Sequence, residues 1–87
     1  MLDASFIPAL AEGVEWREHA KGVVINPMMA LNDTAATIFR LIDGERTVGA
    51  IAGEIARQYD APADEVLPDT IHFIEQLIDK KIVRPHE

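Results

Sequence analysis

Gly22-Val23-Val24-Ile25-Asn26-Pro27-Met28-Met29-Ala30-Leu31-Asn32-Asp33-Thr34 is the run whose reading decides the fold. Val23, Val24 and Ile25 are β-branched and suit a pleated, half-buried surface, so they read as a strand. Pro27 has no N–H to give to a ladder and interrupts it. Met28 to Leu31 resumes as a short strand, placed at a sheet edge. Asn32, Asp33 and Thr34 carry short oxygen-bearing side chains that accept from the free N–H groups of a starting helix. Two strands therefore run directly into a helix.

Towards the amino terminus, Val14 and Trp16 alternate with Glu15 and Arg17, the period of a half-buried strand. His19 to Gly22 reads as the turn that follows it. This gives three short antiparallel strands. Residues 1–12 read as a flexible segment, with Phe6 and Ile7 available to dock on the body.

Towards the carboxyl terminus, Ala35, Ile38, Phe39 and Ile42 share one face of a first helix. Asp43-Gly44 ends it, Gly44 suiting a left-handed closing position. Thr47 caps a second helix whose buried stripe is Val48, Ile51, Ala52, Ile55 and Tyr59. Asp60-Ala61-Pro62 breaks the chain before a third helix, from about Ala63 to Lys80. Pro68 is tolerable there only if the helix begins close before it. Ile82 and Val83 read as a short extended end. Three strands followed by three helices predict an α+β, winged helix-turn-helix-like domain over residues 13–87.

At 87 residues the chain has room for one domain. Hydrophobic residues make up 48% of it, enough for a packed core. It has no cysteine, so no disulfide framework, and a cytoplasmic location is expected. Met1 to Pro8 has no basic run of the kind a signal peptide needs. No apolar run approaches the ~20 residues that span a bilayer, so no membrane association is expected. With 8 Lys and Arg against 15 Asp and Glu, the formal net charge is −7. Nucleic-acid affinity rests on cations that displace counterions, so this balance argues against DNA or RNA as partner. A DNA-binding winged-helix regulator remains the alternative function on grounds of fold.

Chemistry-bearing motifs are sparse. Ser5 is the only serine, and it lies in the terminal segment. Nucleophile–base sites of the serine or cysteine kind are therefore disfavoured. No glycine-rich phosphate loop occurs, and His19, His72 and His86 match no zinc spacing. Neither a cofactor nor a metal is expected. Glu65, Asp69 and His72 fall on one helix face, which reads as a solvated face before it reads as a site. The third helix is more informative. Val66, Leu67, Ile71, Phe73, Ile74, Leu77 and Ile78 span an arc of roughly 160°, wider than packing on one core needs. The excess fits a peptide groove, a more deeply buried helix or a dimer contact. Met28 and Met29 on an edge strand suit either core packing or addition of a partner strand.

Gly22 to Pro27, Ala30 to Ile38 and Leu41 to Val48, taken with the acidic start and hydrophobic run of Asp69 to Leu77, resemble the PqqD family over about Gly13 to Arg84. The resemblance implies a non-catalytic leader-peptide recognition domain. Such a domain holds a ribosomally made precursor peptide, as in pyrroloquinoline quinone biosynthesis. It presents that peptide to a modifying enzyme, a radical S-adenosylmethionine enzyme in that pathway. It further implies that the peptide adds a strand beside the third strand and lies against the third helix. Carried over, the binding residues are Met28, Met29, Ala30 and Leu31 on the strand, with Phe73, Ile74 and Leu77 on the helix. Asn32 and the Asp43-Gly44 pair read as structural, marking a strand–helix junction and a turn.

Overall fold

The computed structural model describes residues 2–19, 22–25 and 29–84. Three strands come first: β1 (Trp16–His19), β2 (Gly22–Ile25) and β3 (Met29–Leu31). Three helices follow: α1 (Asp33–Arg40), α2 (Val48–Tyr59) and α3 (Ala63–Asp79). The sheet is antiparallel in the order β1-β2-β3. This is the expected α+β arrangement. The expected Lys21, Asn26, Pro27 and Met28 features lie outside the described residues.

Each helix start follows from its sequence. The Asn32 carboxamide oxygen accepts from the Ala35 N–H at 2.9 Å and opens α1. Thr47 Oγ1 accepts from the Ala50 N–H at 3.0 Å and opens α2. Pro62 caps α3 with no side-chain bond. α3 runs on through Pro68, which lies little more than one turn from its start.

Two boundaries and one burial differ from the sequence reading. β1 begins at Trp16, not Val14, because Val14 belongs to the approach, half-buried against the core. α1 ends at Arg40, before Asp43-Gly44, with Leu41 as its cap. Asp43 closes a separate turn there by accepting from the N–H groups of Glu45 and Arg46, both at 2.9 Å, and Gly44 takes its positive φ of 79° just after it. Tyr59, expected in the buried stripe of α2, is 40% exposed. It is the last residue of that helix, where its hydroxyl meets Thr37 Oγ1 at 3.0 Å on α1. A tyrosine at a helix end keeps its polar tip wet and its ring against the body.

One core joins β2, β3 and the three helices. Val23, Ile25, Leu31, Phe39, Ile51, Ile55, Ile74 and Leu77 are buried in it. Within the segment 1–12, expected to be flexible, main-chain groups of Ala4, Phe6, Pro8, Ala9 and Ala11 are bonded to this body. The carbonyls of Phe6 and Ala4 accept from the Val48 and Gly49 N–H groups, each at 2.8 Å. These are the first donors of α2, which have no partner inside the helix. Leu10 bridges Val83, the extended end expected from sequence, and the Ala11 N–H donates to the Ile82 carbonyl. Periodicity gives no sign of such contacts, since they are made by main-chain groups.

Candidate functional site

The phase of the sheet identifies which backbone groups are open at its edge. His19 and Gly22 stand opposite each other across a two-residue connection. A pair that closes so short a connection exchanges its own hydrogen bonds. Bonded and non-bonded pairs alternate along a ladder, so Arg17 and Val24 form the next bonded pair. The N–H and C=O of one residue leave a strand on the same side. Gly22 and Val24 therefore face β1, while Val23 and Ile25 face β3. Their partners on β3, Leu31 and Met29, face back to β2. Ala30 lies between them and directs both its N–H and its C=O away from the sheet. β3 is an edge strand of that sheet, so this pair of groups is a ready pairing template.

Side chains alternate with the same period. Val23, Ile25 and Leu31 point into the core, whereas Arg17 and Ala30 are exposed on the outer face with Val24 half-buried between them. A strand added beside Ala30 would thus present alternate residues to the core side and to solvent.

The candidate residues sort into three groups. Met28 lies outside the described residues, and Met29 is placed by its backbone, opposite Ile25. Ala30 offers the open edge. Leu31, Ile74 and Leu77 are core residues, at 7%, 0% and 0% exposure, and Phe73 is half-buried against the same cluster. Of the helix candidates, Phe73 alone keeps surface for a ligand, while Ile74 and Leu77 hold α3 in place. The wide stripe of α3 resolves into a fully buried centre (Thr70, Ile74, Leu77) flanked by half-buried Val66 and Phe73 on one side and Leu67, Ile71 and Ile78 on the other. Thr70 was not foreseen as a core residue. Its hydroxyl donates to the Val66 carbonyl at 2.9 Å, which satisfies it without a tertiary partner.

The far side of the sheet is braced differently. Trp16 meets Phe39 edge to face at 5.1 Å. Two residues on, Glu18 accepts two bonds from the Arg40 guanidinium, at 2.6 and 2.8 Å. The Arg40 bond holds the Glu18 carboxyl below its ordinary range. These contacts pin β1 to α1, so the sheet is anchored at the edge opposite β3.

Glu65, Asp69 and His72 are all exposed, and His72 meets Gln76 of its own helix. No group of three His, Cys, Asp or Glu converges as a metal site among the described residues. Among the same residues no helix is long and apolar enough to cross a membrane.

Comparison with known proteins agrees with this architecture. The family model described as coenzyme PQQ synthesis protein D (PqqD) matches residues 19–83. The PqqA binding protein of Rhizobium meliloti (strain 1021) is 31% identical over 88 residues, covering 95% of this chain and 90% of its own. That of Pseudomonas fluorescens (strain SBW25) is 38% identical over 82 residues, covering 88% and 85%. In structure, the PqqD truncation of Methylobacterium extorquens PqqCD superposes with a TM-score of 0.78 at 25% identity, covering 97% of this chain and 95% of that one. It is described as a functional, stand-alone recognition element for ribosomally synthesised and post-translationally modified peptides. TbiB1, solved in complex with the TbiA(beta) leader peptide, shares the fold with a TM-score of 0.82 at 17% identity, covering 91% and 98%.

Proposed function

The chain belongs to the PqqD family, and from that premise we propose that it is a non-catalytic adaptor that binds the leader of a PqqA-type precursor peptide. It holds the peptide for a modifying enzyme, of the radical S-adenosylmethionine class, in the cytoplasm. The observation that carries this reading is the open main-chain pair of Ala30 on an edge strand, beside a core to which Phe73 adds partly exposed surface. The peptide adds as a fourth strand there, gaining affinity from main-chain bonds and selectivity from alternate side chains. Met28, Met29, Ala30 and Leu31 supply the strand. Phe73 supplies helix contact, with Ile74 and Leu77 beneath it as support.

Relatives of similar length named for PqqA binding support the choice of peptide. The net charge of −7 opposes the DNA-binding alternative that the winged-helix shape leaves open. The test is titration of a synthetic PqqA-type leader, with amide chemical shifts followed by NMR. Saturable binding that perturbs residues 29–32 and the neighbourhood of Phe73 supports the proposal. Saturable binding of duplex DNA at physiological salt, with no response to peptide, would overturn it.

A further inference from the structure

Both outer strands of the sheet offer open main-chain groups. Arg17 and His19 bond to β2, so Trp16 and Glu18 direct their N–H and C=O away from the sheet. Among the described residues, none of the main-chain bonds outside the helices and strands involves either one. On backbone groups alone β1 is therefore a fuller pairing template than β3, where Ala30 supplies one open pair.

The two edges differ in the side chains of their core face. Glu18 stands opposite Val23, and Val23 opposite Leu31, so the three form one row across that face. The row ends in a buried leucine on the β3 side and in an exposed carboxylate on the β1 side. Arg40 of α1 donates two bonds to that carboxylate. A strand added beside β3 sets its core-facing residue next to Leu31 and buries apolar surface. The same strand beside β1 sets that residue against the Glu18–Arg40 pair and takes both charges out of water without replacing their hydration. Inward-pointing charge is one of the ways in which edge strands are kept from pairing. Arg17 does not discriminate in this way, because it lies on the outer face, which stays in solvent whichever edge is used.

From this we infer that the Glu18–Arg40 pair is an edge guard: it closes β1 to strand addition and so assigns an incoming strand to β3. For the leader peptide this rests on the strand-addition reading above. Against a second copy of the chain it holds by itself.

The double variant Glu18→Thr with Arg40→Gln opens the edge with uncharged side chains and adds no large apolar group. Both parent side chains reach solvent, 34% for Arg40 and 54% for Glu18, so the fold should tolerate the change. The readout is hydrogen exchange at the amides of positions 16 and 18, which gain a partner only when a strand adds beside β1. In the parent these amides should exchange equally fast in dilute and concentrated solution, and with a synthetic PqqA-type leader present. In the double variant they should slow about tenfold on concentration, as copies pair through β1, or on addition of leader. Slowing under either condition supports the guard. Parent-like exchange under both overturns it, as does slowing in the parent itself. Should the double variant fail to fold, Glu18→Thr alone, with Arg40 free to turn to solvent, is read in the same way. The Ala30 amide separates the two readings. If concentration slows positions 16 and 18 of the variant while leader leaves the Ala30 amide of the parent unchanged, the guard stands and strand addition of leader at β3 falls.

Discussion

Ala30 stands opposite Val24, and the backbone groups of the two residues point in opposite directions, Val24 to β1 and Ala30 to the open edge. Met29, its neighbour, points back to Ile25. Adjacent residues of one short strand therefore have separable roles, one in pairing with a ligand and one in holding the sheet.

Proline substitution makes that separation measurable, since it removes the N–H without replacing it. Ala30→Pro is expected to weaken leader binding by at least about 1.5 kcal/mol, one lost bond plus the carbonyl it strands. Circular dichroism of this variant should stay close to the parent. Met29→Pro removes a bond of the β2–β3 ladder, so it should lower the thermal midpoint first. Equal binding by a folded Ala30→Pro variant would exclude strand addition at this edge.

On α3 the same distinction falls between Phe73 and the residues beneath it. Ile74 and Leu77 are fully enclosed, so Ile74→Ala or Leu77→Ala should cost about 2–5 kcal/mol of stability. Phe73 is half-buried, so Phe73→Ala should cost less stability and show a larger share of its effect in peptide affinity. Paired denaturant melts and titrations read both. A Phe73→Ala variant that is destabilised as much as Leu77→Ala, with unchanged affinity for leader, would make Phe73 a core residue only.

Most of the fold is legible in the sequence because its signals are local. Asn32 and Thr47 have the side chains that cap helices, and both do so. Val23, Ile25 and Leu31 show the strand period, and Val48, Ile51, Ala52 and Ile55 the helical one, and all are buried. What is not legible depends on partners distant in sequence. The arc of α3 shows how much of the helix is apolar, but not that Ile74 lies under the core while Phe73 lies at its margin. The direction of the Ala30 N–H follows from the pairing of His19 with Gly22, a register that composition does not fix. The capping of α2 by Ala4 and Phe6 uses carbonyls, which every residue carries. The family resemblance pointed to the third strand as the proposed binding place, and the register adds that Ala30 is the residue whose main-chain groups are open there.

Salt dependence tests the balance of forces at the site. Main-chain bonds and apolar burial are weakly screened, so charge is secondary at the proposed edge-strand site. Calorimetric titration at low and high salt should show a loss of less than about tenfold, or ~1.4 kcal/mol. A much steeper loss would place charge above strand pairing as the main source of affinity.

Acid should loosen the domain through its surface carboxylates. Glu18 is lowered by the Arg40 bond, Asp43 by the Arg46 and Glu45 N–H groups, and Glu54 by Arg57 and Gln58. A carboxyl lowered in the folded state releases its proton more readily there than in the unfolded chain. Its stabilisation is complete above the ordinary values of 3.8 and 4.5 and is lost as pH falls through the folded ones. The thermal midpoint should therefore drop on acidification below about pH 4.5. Glu18→Gln should make that drop shallower, and an unchanged slope would show that this pair contributes nothing to it.

The amino-terminal strap gives the last prediction. Val48 and Gly49 open α2, and their N–H groups have no acceptor within that helix. The carbonyls of Phe6 and Ala4 fill the need, and Gly49 admits the approach because a Cβ there would meet Ala4 at 3.3 Å. Removal of residues 1–11 returns those donors to water and uncovers Val83, which is fully buried beneath Leu10 and its neighbours. The truncated protein should unfold at a clearly lower temperature, and its α2 amides should exchange hydrogen faster than those of the parent. Gly49→Ala should move the strap and reproduce a smaller part of the same loss. Leader affinity, measured well below the new midpoint, should change little, since among the described residues the strap's main-chain bonds go to the Gly44 turn, α2 and the chain end and none goes to β3. Unchanged exchange at Val48 and Gly49 in the truncated protein would show that water caps α2 as well as the strap does.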